Sequence, residues 1–357
     1  MYYSSRRCAR KKQQSKSLTN KEKNTSSSYG RIAVIGGGSW ATAIVKLLCN
    51  NCDSVNWWVR NDETAKYIAT YHHNPNYISS VEFDSKKINV SSDLKQVVEK
   101  SDLLIMAIPS AFLQASLKPI SKEELKGKKI FSAIKGISPE HNLIIAEFFN
   151  QIYNLPIENI GVITGPCHAE EVAMKKLSYL TIASQNTPMA VFLAGKLSCR
   201  YIKCSVSDDI YGTEYSAVLK NVFAIAAGIC HSLGYGDNYL AVLISNGIQE
   251  IKKFVDAVHP IDRDIKDSAY LGDLLVTAYS QFSRNRTFGS MIGKGYSVKS
   301  AQMEMNMIAE GYYGVKCIYE INKKYKVAMP ITEAVYHILY EMKKPDHEIK
   351  ILSDRIS

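Results

Sequence analysis

Ile32-Ala33-Val34-Ile35-Gly36-Gly37-Gly38-Ser39-Trp40-Ala41-Thr42-Ala43-Ile44-Val45-Lys46-Leu47-Leu48 is the stretch whose reading decides the fold. Its first four residues form a short, unbroken apolar run, the pattern of a strand covered on both faces in a parallel sheet. Three glycines follow, and then a helix-forming segment whose apolar residues share one face. Val55-Asn56-Trp57-Trp58-Val59 reads as the next strand and ends at Arg60. Within this strand–turn–helix–strand unit, Gly36-x-Gly38-x-x-Ala41 is the dinucleotide fingerprint. Gly36 permits the tight turn, Gly38 lets backbone approach a pyrophosphate, and small Ala41 lets the helix pack close to the strand. The helix start adds unpaired N–H groups and a positive dipole end for the phosphates. An acid closing the second strand would favour NAD through the ribose 2′-hydroxyl; Arg60 stands there instead and suits a 2′-phosphate. The expected cofactor is NADP or NAD.

Working outward, Leu103–Ile108, Ile130–Ile134 and Ile160–Thr164 are further buried-strand candidates, with helical spacing over 93–100, 110–118 and 142–152. Strands alternating with helices predict a doubly wound parallel sheet of Rossmann-like type. From 213 onward only helical spacing is found, over 213–231, 239–258, 264–281, 298–309, 311–324 and 331–343. The expected fold class is therefore α/β followed by all-α. The expected division is a disordered basic tail (1–29), a nucleotide-binding domain (30–212), a helical substrate-binding domain (213–345) and a C-terminal tail (346–357). A site belongs in the cleft between the two domains.

Of the chain's formal charge of +10, the first 30 residues supply +7, from eight Lys and Arg against the single acid Glu22. The rest is close to neutral, which gives no reason to expect a nucleic-acid partner. The polar tail has little to bury and suits a solvated extension; its Arg and Ser content also fits an organellar transit peptide, and it lacks the apolar stretch of a secretory signal. No apolar run is long enough to span a bilayer, so stable membrane insertion is not expected. The eight cysteines are irregularly spaced, as in a reduced, cytoplasmic protein. Cys49-x-x-Cys52, Cys199…Cys204 and His72-His73 lack further ligands at zinc-site spacing, so no metal is expected.

Five segments carry a family resemblance. Gly36-Gly37-Gly38-Ser39-Trp40-Ala41-Thr42-Ala43 resembles the opening of the bacterial NAD(P)-dependent glycerol-3-phosphate dehydrogenases. Lys135-Gly136, Gly165-Pro166-Cys167-His168-Ala169-Glu170-Glu171-Val172-Ala173 and Leu219-Lys220-Asn221 through Gly228 follow in the same order. So does Leu271-Gly272-Asp273-Leu274, running through Ser283-Arg284-Asn285-Arg286-Thr287-Phe288-Gly289 to Ile308-Ala309-Glu310-Gly311. The resemblance spans about residues 30–340. It implies reversible reduction of dihydroxyacetone phosphate to sn-glycerol 3-phosphate, the backbone precursor of phospholipids, by a homodimer. It also implies that Ser39, Trp40, Arg60, Ala169, Ile308 and Glu310 contact the dinucleotide. Lys135, Gly165, Cys167, Lys220, Asp273, Ser283, Arg284 and Asn285 would surround the substrate, with Lys135 and Arg284 touching both. Two departures from the family pattern bear on this site. Cys167 stands where the commoner pattern has a serine, which keeps its backbone N–H as a ligand and leaves the side chain's part open, and His168 replaces an aromatic.

The chemistry of these residue types is consistent with that activity. Hydride addition to a ketone leaves charge on oxygen, and a lysine among apolar residues, such as Lys220 in Ala217–Gly228, has a lowered pKa suited to proton transfer. Lys135 could share the electrostatic work and Asp273 could orient Lys220 by a charge-assisted hydrogen bond. Arg284, flanked by Ser283 and Asn285, could grip a phosphate. The rival readings are another reductase pairing a nucleotide domain with a helical one, of the 3-hydroxyacyl-CoA or ketopantoate type, and a dinucleotide-sensing regulator.

Overall fold

In the computed structural model, residues 29–305 and 308–357 are described; the basic tail expected over 1–29 lies, but for Tyr29, outside them. The described residues form ten strands: β1 (Ile32–Ile35), β2 (Val55–Trp58), β3 (Ile88–Ser91), β4 (Leu103–Met106), β5 (Lys129–Ser132), β6 (Ile137–Ser138), β7 (Leu143–Ile144), β8 (Ile160–Thr164), β9 (Ser178–Ala183) and β10 (Ile202–Ser207). Eight of them make one sheet in the order β10-β9-β8-β5-β4-β1-β2-β3, and β6 and β7 form a separate hairpin.

β1 is buried throughout and pairs in parallel with both β2 and β4, with Val34 opposite Trp57 on one side and Ile105 on the other. From β1 the chain order runs outward in one direction through β2 and β3, and in the other through β4 and β5. The crevice at the carboxyl ends of β1 and β4 is thus a topological switch point, where open α/β sheets bind ligands. Helices cover both faces of the sheet, over two apolar clusters.

The sheet departs from a purely parallel one. β8 and β9 run antiparallel, and β3, β9 and β10 were not anticipated from sequence. β10 lies at the sheet's edge with only Ile202 fully buried, so it has no apolar run to announce it.

The helical half is organised around one long helix, Ile210–Ser232, buried on nearly every side by neighbours at Asp237–Val258, Asp273–Tyr279, Arg284–Gly293 and Glu310–Tyr325. A helix apolar all round belongs at a core. Asp209 caps its start, accepting the Gly212 N–H at 2.9 Å. The expected helix over 264–281 begins later: a π-helical turn, Ser268–Gly272, leads directly into Asp273–Tyr279. Two further helices were not anticipated, Arg284–Gly293 and Pro345–Ser353. The second occupies most of the expected C-terminal tail, and its buried Ile349 and Leu352 join the helical core.

Candidate active site

The glycine turn leaves β1 at Gly36, whose φ of +140° only glycine adopts freely; a Cβ there would meet the Ala107 carbonyl oxygen at 2.3 Å. At Gly38 a Cβ would find nothing within 4 Å. That open face, together with the start of helix Ser39–Leu48, which no side chain caps, suits an anionic group drawn up to backbone N–H donors. The Trp40 indole N–H is buried beside it without a hydrogen-bond partner among the described residues. The chemistry of this cradle fits the pyrophosphate of a dinucleotide.

A cleft of about 280 Å³ runs from Gly38, Ser39 and Trp40 to the helical half, and Lys135, Cys167, Ala169, Lys220, Asp273, Ser283, Arg284, Asn285, Ile308 and Glu310 all line it. Gly165 is linked to the cleft through its carbonyl, which accepts the Lys135 ammonium at 2.8 Å. Arg60 does not line the cleft. It is exposed just beyond β2, without an ion pair among the described residues, while nearby Asp62 is tied to Lys66 at 2.8 Å. Sequence reasoning missed Tyr77, Pro109, Phe112 and Phe282, which also line the cleft. Each is an aromatic or apolar residue, three in loops and Phe112 in the helix Ser110–Leu117, with no motif of its own to mark it.

At the helical end, two ammonium groups share one carboxylate. Lys220 Nζ donates to Asp273 Oδ1 at 2.5 Å and to Thr277 Oγ1 at 3.0 Å. Thr277 donates its own hydroxyl to the Asp273 carbonyl at 2.6 Å, which turns its lone pairs toward Lys220. Lys135 Nζ reaches Asp273 Oδ2 at 3.0 Å, and the Lys135 carbonyl accepts from the Asn221 amide at 2.7 Å. The partners come from β5's exit, the long helix and the turn after the π-helix, so folding assembles the cluster from three distant segments.

Burial governs the electrostatics. It brings Lys220 down to about 7, helped by the nearby Lys135 charge and opposed by Asp273. The same burial would raise Asp273, but the two ammonium groups outweigh it and hold the carboxylate low. Burial pushes the Cys167 thiol up to about 12, so it stays protonated and is no nucleophile. His168 is brought down to about 4 by burial and then by Lys220 and Lys135, which makes it a neutral imidazole.

The basic run after Asp273 is a helix start rather than a loop. Ser283 Oγ accepts the Arg286 N–H at 3.3 Å, and Asn285 Oδ1 accepts the Gly311 N–H at 2.9 Å. Both side chains keep their donors, the hydroxyl proton and the NH₂, for a ligand. Arg284 is half-buried with no ion pair among the described residues. Glu310 is engaged by Ser110, through its N–H at 2.9 Å and its hydroxyl, and this contact joins the β4 loop to the helical half. Among the described residues no cluster of three or more His, Cys, Asp or Glu could hold a metal.

Comparison with known proteins points to one family. The family models for the N-terminus and C-terminus of NAD-dependent glycerol-3-phosphate dehydrogenase match residues 31–190 and 209–350. The NAD(P)+ glycerol-3-phosphate dehydrogenase of Bacillus pumilus is 35% identical over 328 residues, covering 91% of this chain and 94% of that one. A second such dehydrogenase, from Salinibacter ruber, is 34% identical over 325 residues with the same coverage. The crystal structure of glycerol-3-phosphate dehydrogenase from Coxiella burnetii superposes with a TM-score of 0.84 at 27% identity, covering 90% of this chain and 98% of that one.

Proposed function

The chain belongs to the NAD-dependent glycerol-3-phosphate dehydrogenase family, and from that premise we infer that this cleft reduces dihydroxyacetone phosphate to sn-glycerol 3-phosphate with NADPH or NADH, reversibly, using Lys220 as the proton donor. The observation that carries the reading is a buried, paired lysine at one end of a cleft whose other end is an open, donor-rich glycine turn. When bound, the dinucleotide supplies the hydride. Gly36, Gly38, Ser39 and Trp40 would hold its pyrophosphate end, Arg60 its ribose side, and Lys135, Ala169, Arg284, Ile308 and Glu310 the part within the cleft.

An ammonium has three N–H groups; Lys220 spends one on Asp273 and one on Thr277. The third is left for the ketone oxygen, where it polarises the carbonyl and then gives up its proton as the alkoxide forms. Asp273 fixes the ammonium's direction and tempers its acidity, so Lys220 is a positioned acid rather than a structural charge. Lys135, held by Gly165 and Asp273, stabilises the same developing charge. In the oxidative direction neutral Lys220 removes the hydroxyl proton. The buried Cys167 contributes through its backbone. Arg284, with the remaining donors of Ser283 and Asn285, receives the phosphate.

The reading is tested by following nicotinamide absorbance with dihydroxyacetone phosphate against NADPH and NADH in parallel. Oxidation should depend on the phosphorylated ketone and be slow by comparison with dihydroxyacetone. Tight dinucleotide binding without turnover would overturn it in favour of a sensor. The pH dependence has a definite sign. Reduction needs protonated Lys220, so kcat/KM should fall as pH rises through about 7, the value to which burial brings this lysine. Oxidation needs the neutral amine and should rise over the same interval. Profiles with the same slope in both directions would remove Lys220 as the titrating group.

The same reading places the enzyme in the cytoplasm as a homodimer, feeding phospholipid synthesis, with no nucleic-acid partner. No helix among the described residues is long and apolar enough to cross a membrane.

A further inference from the structure

The adjacent histidines that suggest a metal pair in sequence have backbone tasks instead. His72 ends the helix Asp62–Tyr71 in the left-handed conformation, and its carbonyl accepts the Phe83 N–H at 2.9 Å. The His73 ring nitrogen Nδ1 lies 3.2 Å from the Val81 carbonyl oxygen. These contacts close a loop over 72–83, which carries Asn74 in beneath the glycine turn.

Asn74 is completely buried. Its Nδ2 donates to the Gly37 carbonyl at 3.0 Å and to Thr42 Oγ1 at 2.7 Å. Its Oδ1 accepts the N–H groups of Asn76 and Tyr77 at 3.0 and 3.2 Å. Thr42 in turn donates its hydroxyl to the Gly38 carbonyl at 2.9 Å. The amide therefore uses both its donors and its acceptor oxygen, which fixes its orientation. Aspartate could not replace it, having nothing to donate to Gly37.

The consequence follows from peptide geometry. In a trans peptide the C=O and the following N–H point in opposite directions. Holding the Gly37 and Gly38 carbonyls inward, on Asn74 and Thr42, turns the N–H groups of Gly38 and Ser39 outward, and both residues line the cleft. We infer that Asn74, acting with Thr42, is a positioning residue that aims the backbone donors of the glycine turn at the dinucleotide pyrophosphate. The inference rests on the dinucleotide reading above and adds to it a residue remote from the fingerprint in sequence.

The experiment is a fluorescence titration with NADPH, without the ketone, on wild type, Asn74→Ala, Thr42→Val and Thr42→Ser, with thermal melting alongside. Loss of Asn74 strands a buried carbonyl and loosens the turn, so the Kd should rise by about tenfold or more. Thr42→Val should weaken binding by less, and Thr42→Ser, which keeps the hydroxyl, should bind as wild type does. Ile349→Ala, a core change in the C-terminal helix, is the stability control and should lower the melting temperature without moving the Kd. A folded Asn74→Ala variant with wild-type affinity overturns the inference. Should that variant fail to fold, Thr42→Val and Thr42→Ser decide, and equal wild-type affinities for both overturn it. Failure of the wild type itself to bind would instead overturn the dinucleotide reading, and this inference with it.

Discussion

Lys220→Met should bind dinucleotide nearly as the wild type does and lose about 100- to 10,000-fold in kcat, the range that a positioned general acid commonly supplies. Methionine keeps an unbranched side chain of similar length in a buried helical position and removes only the ammonium. The usual penalty for breaking a buried ion pair is the stranded partner charge. Here Asp273 retains Lys135 at 3.0 Å and the Thr164 hydroxyl at 3.5 Å, so the fold should survive and the kinetic effect can be read without ambiguity. Steady-state kinetics with saturating dinucleotide, beside a binding titration, make the measurement. A kcat within a factor of two of wild type would show that the proton comes from elsewhere, and Lys135 would become the next candidate. The variant should also flatten the limb near pH 7.

How far this site is legible in sequence depends on how local each signal is. The glycine turn is local: its strand, loop and helix are contiguous, and burial on both faces of β1 leaves an apolar run that announces itself. The Lys220–Asp273–Lys135 cluster is not local. Its members lie 53 and 138 residues from one another by way of Asp273, and nothing in the composition of a helix separates a buried lysine from one that snorkels to the surface. The family resemblance, rather than the pattern, marks Lys220.

Arg284–Gly293 escaped for a different reason. Its ten residues hold two glycines, which are costly inside a helix, and so carry little helical signal. The structure shows what the glycine contributes. A Cβ at Gly289 would meet the Ile225 carbonyl oxygen at 2.1 Å, and one at Gly228 would meet the Arg286 carbonyl oxygen at 2.1 Å. The two helices therefore cross backbone to backbone, an approach only glycine permits, and this brings Arg284 to the cleft beside Lys220. Asn74 was invisible because a buried amide in a loop has no sequence signature until its partners are known.

The close crossing leads to the second large effect. Arg284→Ala should lower kcat/KM for dihydroxyacetone phosphate by about 10- to 100-fold, the loss expected when a charge-assisted hydrogen-bonding pair is removed. Turnover of unphosphorylated dihydroxyacetone, expected to be poor in the wild type, should change much less. Arg284 is half-buried, lines the cleft and has no salt bridge among the described residues, whereas Arg263 is bound to Asp209 and Asp256 at 2.8 and 2.5 Å. Glu310, an acid of the same cleft on which the Arg284 charge acts, is already engaged by two donors from Ser110. A guanidinium left in this state has bidentate capacity for an anion that the protein does not supply. Ser283 and Asn285 flank it with donors still free, because their acceptor oxygens alone are used in capping and in holding Gly311. Arg284→Lys should recover part of the loss, since it restores the charge but not the fork. The decisive quantity is the ratio of kcat/KM for the two ketones, phosphorylated over unphosphorylated. If Arg284 grips the phosphate, the ratio collapses toward that of a site indifferent to phosphate. If it is unchanged while both rates fall together, Arg284 serves the dinucleotide instead, and the phosphate must be held by Ser283, Asn285 and the ammonium of Lys135.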